Sequence, residues 1–133
     1  MDLTKIPLFQ MITKRMGWLA ERQKVIAENI ANADTPEYRP KDLKAFDFRN
    51  FLREGSSKLK LATTADQHFA PASTERFQVK GDAKPYENTP SQNKVVLEEQ
   101  IAKMGETKSD YELTSNLYSK HVAMIKTALG RGA

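Results

Sequence analysis

The feature that most constrains this chain is a run of apolar residues near its C-terminal end. Leu97, Ile101, Met104, Tyr111, Tyr118, Val122, Ile125 and Leu129 step by four and three, with Lys108 and Ser115 in the two polar slots. Side chains spaced this way lie on one stripe of an α-helix, the seam along which helices pack. The spacing predicts a helix over about residues 93–129, ~55 Å long at a rise of about 1.5 Å per residue. Glu98 and Glu99 near its start, and Lys120, Lys126 and Arg131 towards its end, suit the helix dipole. Gly130 is a natural stop. Gly105 costs about 1 kcal/mol against alanine and marks a place for a kink or a frayed turn.

A second seam lies near the N-terminus, in Phe9, Ile12, Met16, Leu19, Ile26, Ile30 and Ala33, with Gln23 in its one polar slot. It predicts a helix over about residues 9–33, ~37 Å long. Lys14, Arg15, Glu21, Arg22, Lys24 and Glu28 fall off the seam, and Ala20, Ala27 and Ala31 form a flank of small residues. Asp34, Thr35 and Pro36 stop the helix.

Residues 35–92 hold five of the six prolines and no long periodic run. Residues 59–61 and 77–79 read as short strands, with Gly55-Ser56-Ser57 and Lys80-Gly81-Asp82 as turns. Leu43, Phe46 and residues 48–52 suit one helical turn or a small hydrophobic knot. A loop-rich segment, partly disordered when alone, is expected here. The fold class is therefore mainly α. Residues 1–34 and 93–133 supply two long helices, paired as an antiparallel coiled-coil-like hairpin, and residues 35–92 form a middle segment with at most short strands.

Composition adds a shortage of core. Of 133 residues only 39% are hydrophobic and 29% are charged, against about 45–50% apolar in ordinary domains. Two paired helices bury one stripe each, so the hairpin alone is marginal. Neighbouring subunits are expected to complete the core. The absence of cysteine excludes disulfides, thiolate nucleophiles and cysteine zinc sites. A net charge of +4 points weakly to an acidic partner and does not identify nucleic acid. The N-terminal run lacks the apolar core and small-residue cleavage site of a secretory signal, and no stretch nears the ~18 apolar residues of a membrane span.

Catalytic chemistry finds no foothold. His68 and His121 lie in different segments without a metal-spaced partner, and no phosphate-cradling glycine loop occurs. Glu98 and Glu99 point to different helix faces. Trp18, the single tryptophan, reads as interhelix packing. The expectation is a non-enzyme with no cofactor, metal, small-molecule substrate or nucleic acid.

Asn29-Ile30-Ala31-Asn32-Ala33-Asp34-Thr35-Pro36-Glu37-Tyr38 resembles the N-I-A-N-A/V-D/N-T-P-G-Y signature of the bacterial flagellar rod and hook family at every position but Glu37. Glutamate there, where glycine is usual, argues against a left-handed backbone. The start of the chain, the run from Tyr38 to Leu43, Thr64 to His68, and Asn93 to Gln100 also resemble the proximal rod members of the family. In physical terms Asn29 and Asn32 are poor helix-interior residues whose amides can bond to a neighbouring chain. Asp34-Thr35-Pro36 turns the chain outward.

The resemblance implies a structural subunit whose terminal helices pair and stack helically into the hollow rod of the flagellar basal body. It implies a periplasmic location beside the rod adaptor, the MS ring and other rod proteins, reached through the flagellar type III export apparatus. Phe48 to Leu52 fits the short patch that the export gate reads in similar substrates; the bland reading is that Phe48 and Leu52 pack on the hairpin. The alternative from another class is a small cytosolic coiled-coil adaptor binding an anionic surface. Concentration-dependent helicity favours the rod subunit, and salt-sensitive binding to anionic lipid or nucleic acid favours the adaptor.

Overall fold

The structure, a computed structural model, describes residues 6–49, 77–81 and 93–130. Its elements are α1 (Pro7–Ala31), β1 (Lys41–Leu43), β2 (Val79–Gly81) and α2 (Leu97–Ala128). Pro7 opens α1 at a position where its missing N–H loses no helical bond. Thirty-two residues of α2 run unbroken through Gly105. The turn at Gly105 does not fray: the residue stays helical, with open space where a side chain would stand. At the far end Gly130 takes φ +70° and its N–H bonds to the carbonyl of Thr127, the left-handed stop expected of glycine.

The two helices pair antiparallel. Asn29 meets Gln100, Arg15 meets Asp110 and Phe9 meets Tyr118, so partners climb one helix as they descend the other. On α1 the seam is turned inward: Phe9, Leu19 and Ile26 are buried, and Ile12, Met16 and Ile30 are half-buried.

On α2 the fully buried stripe is not the apolar seam but a polar one beside it. Its buried side chains are Gln100, Thr107 and Thr114, a polar stripe, while Leu97, Ile101, Tyr111 and Leu129 of the apolar seam are exposed. Met104, Tyr118, Val122 and Ile125 are half-buried at its edge. The buried threonine hydroxyls bond back to the carbonyls of Lys103 and Asp110, each at 2.7 Å. A compact, internally satisfied side chain can be sealed without leaving a polar group unpaired.

β1 and β2 form an antiparallel ribbon with Leu43 opposite Val79 and Lys41 opposite Gly81. The strand expected over 77–79 thus lies two residues later, and Lys80-Gly81 is strand rather than turn. Pairing with β1, invisible to local spacing, sets that register. The expected strand at 59–61 and turn at 55–57 fall outside the described residues. Trp18, Leu19, Val25 and Leu43 form the core under this ribbon, with Phe46 and Phe77 packed against it. Trp18 therefore packs against the ribbon. No helix among the described residues is long and apolar enough to cross a membrane.

Candidate functional site

The signature residues and the foot of α2 converge on one polar clasp. Asn29, only 1% exposed, lies in the last turn of α1. Its amide donates to the Lys41 carbonyl at 2.7 Å and to Gln100 Oε1 at 3.0 Å. Its carbonyl oxygen accepts from the Lys41 N–H at 3.0 Å and from the Tyr38 hydroxyl at 3.3 Å. The side chain thus pairs with the first residue of β1 as a peptide group would, and fills all four of its bonding positions. Those bonds are made inside the chain, which corrects the expectation that Asn29 serves a neighbour.

Asn32 is likewise satisfied locally, by the Glu28 carbonyl at 2.8 Å and the Thr35 hydroxyl at 3.2 Å. Beyond it the chain turns at Asp34, Thr35 and Pro36, all exposed, with Ala31 exposed and Ala33 half-buried beside them. Glu37 adopts φ 60°. The left-handed backbone forms after all, with a glutamate bearing the strain that a glycine would not.

Asn93 closes the clasp from the other side. Its amide is shared among the carbonyls of Asn32, Ala33 and Thr35 at 3.1, 2.6 and 2.7 Å, while its oxygen accepts from the Val95 N–H at 2.7 Å. Residues 93–96 stay outside the helix, so α2 begins four residues later than the spacing predicts. Asn93 and Gln100 were legible only as part of the approach to the final helix. The signal that marks them is their spacing of seven with Thr107 and Thr114.

Ion pairs strap the surrounding elements. Arg22 donates from Nε and an Nη to the two oxygens of Asp42 at 3.1 and 3.2 Å and lies over the Trp18 ring. Lys41 and Glu28 pair at 3.0 Å. The hydrogen bond to Glu28, then its charge and that of Tyr38, hold the Lys41 ammonium above its ordinary range against a small opposing desolvation. Arg15 pairs with Asp110 at 3.1 Å and sits over the Phe48 ring.

At the opposite end of the hairpin an open groove of about 350 Å³ runs between the helices, lined among others by Leu8, Met11, Phe48, Leu113, Leu117 and His121. Phe48 is exposed on one side and packs edge-on against Phe46. Leu52, the other member of the expected export-gate patch, lies outside the described residues. No group of acidic or imidazole side chains that could hold a metal occurs among the described residues.

A family profile described as "Flagella basal body rod protein" matches residues 15–39, from within α1 through the clasp turn. The chain is 34% identical over 132 residues to the flagellar basal body rod protein FlgB of Agrobacterium fabrum, covering 95% of this chain and 96% of that one. It is 28% identical over 114 residues to FlgB of Bacillus subtilis, covering 84% of each. To FlgB of Escherichia coli it is 43% identical over 56 residues, 37% of this chain and 38% of that protein.

Proposed function

The chain belongs to the FlgB-type flagellar basal body rod proteins, and from that we propose that it pairs its helices once within itself and offers the flanks of α2 to neighbouring subunits. It is a structural subunit of the proximal rod, located in the flagellar basal body, and its work is mechanical rather than catalytic. One observation supports the assembly reading above others. On α2, Leu97, Ile101 and Leu129 on one flank of the buried stripe, and Leu113, Leu117 and Met124 on the other, are exposed. So much apolar surface on both sides of one helix is a burden to a lone chain and an asset to a packed assembly. Non-closing contacts between unlike faces stack into a tube.

Its neighbours are further copies, other rod proteins, the rod adaptor and the MS ring. It reaches the periplasm through the flagellar type III apparatus, with Phe48 and Leu52 as the patch offered to the export gate. Leu113→Asp and Leu117→Asp test the assembly reading: the secreted subunit should keep its helices while cells stop swimming. Cells that swim normally with either change would sink it. For the patch, Phe48→Ala with Leu52→Ala should reduce secretion; normal secretion with failed assembly points to packing instead.

A further inference from the structure

Both helices are written in sevens. Phe9, Met16 and Gln23 recur at that spacing on α1, as do Ile12, Leu19 and Ile26; Gln100, Thr107 and Thr114 do so on the buried face of α2. A repeat of seven tells two helices which faces to join but not how far along to join them. If α2 slid by one repeat, ~10.5 Å along its axis, threonine would follow threonine along the stripe. Phe9 would meet Tyr111 in place of Tyr118. β2 is tied to β1, so the connection that must absorb the shift covers residues 82–96. Extended chain spans about 3.3 Å per residue, and such a shift changes loop-closure entropy little. Apolar packing alone therefore leaves the register weakly determined.

We propose that the polar clasp sets the register of the hairpin, with Asn29, Gln100 and Asn93 as its positioning residues. Asn29 is sealed from water, and its bond to Gln100 exists in one register only. A slide that brings Asn93 to Asn29 withdraws Asn93 from the carbonyls of Asn32, Ala33 and Thr35. A slide the other way sets the shorter Thr107 opposite Asn29 in place of Gln100 and likewise carries Asn93 away from the carbonyls of Asn32, Ala33 and Thr35. Each alternative leaves buried polar groups unpaired, and a single buried amide pair is a well-attested means of selecting one register among several. The Arg15–Asp110 pair, with side chains 29% and 39% exposed, contributes less because solvent screens it.

The absence of cysteine permits clean spin labelling of the full chain. Gln23→Cys and Glu112→Cys place nitroxides at exposed positions, one on each helix. Double electron–electron resonance on this parent should give one narrow distance. Adding Asn29→Ala with Asn93→Ala, or separately Gln100→Thr, should add a second distance population from the displaced register. An unchanged single distance in both variants, with helicity retained, overturns the proposal. So does a broad distribution in the parent. Loss of helicity in both variants overturns it as well, because register choice presupposes helices that pair without the clasp.

Discussion

The indole Nε1 of Trp18 donates to the carbonyl of Lys44 at 3.0 Å, tying the middle of α1 to the residue that follows β1. Because Trp18 is the single tryptophan and is buried against the ribbon, its fluorescence reports on the docking of the ribbon. Phe46 stands 6.3 Å from it, ring centre to ring centre. Phe46→Ala should shift Trp18 emission to longer wavelength and lower stability by about 2 kcal/mol, under the ~3–5 of a fully buried phenylalanine. Emission spectra and urea titration check both, and helicity should stay near the parent's.

Asn29 and Asn32 share a motif but not a burial. Asn29→Ala strands the Lys41 N–H and the Gln100 side chain and should cost about 2–3 kcal/mol. Asn32→Ala, whose hydrogen bonds are exposed, should cost under about 1 kcal/mol. Denaturant midpoints of the two variants measured side by side decide the matter.

Glu37 offers a stabilising change. At φ 60° a side chain is strained by about 1–2 kcal/mol, part of which glycine returns as extra freedom in the unfolded chain. Glu37→Gly should therefore raise stability by about 0.5–1 kcal/mol. A thermal melt showing no gain would mean that surrounding contacts already offset the strain.

Charges placed on the two helices should act differently. Ile26 is 0% exposed, so Ile26→Asp buries an unpaired carboxylate and should abolish both folding and motility. Ile125 is half-buried; Ile125→Asp should abolish swimming while circular dichroism still finds α2 formed. Motile cells carrying either change would count against the seam.

The Lys41–Glu28 pair has a pH signature. The folded-state pKa of Lys41 is raised above its ordinary 10.5. Its stabilising contribution is therefore complete below pH 10.5 and is lost as pH climbs through the higher folded value. Glu28→Gln removes the cause, and NMR titration of the Lys41 side chain should then return a lower pKa.

The sequence by itself determined the two helices, their near-complete extents and the stop at Gly130, because period and end signals are local properties of a chain. It also carried the family in the ten residues from Asn29 to Tyr38, nine of which match. Tertiary structure alone decided which face of α2 is buried. An apolar stripe announces that it will be covered, not by what, and Leu97, Ile101 and Leu129 face outward while Gln100, Thr107 and Thr114 pack on α1. The same holds for Asn29. Its neighbours in sequence cannot reveal that Lys41, Tyr38 and Gln100 fill its hydrogen bonds. Those partners come together only when both helices and β1 have docked, and a buried amide tolerates no arrangement that leaves it unpaired.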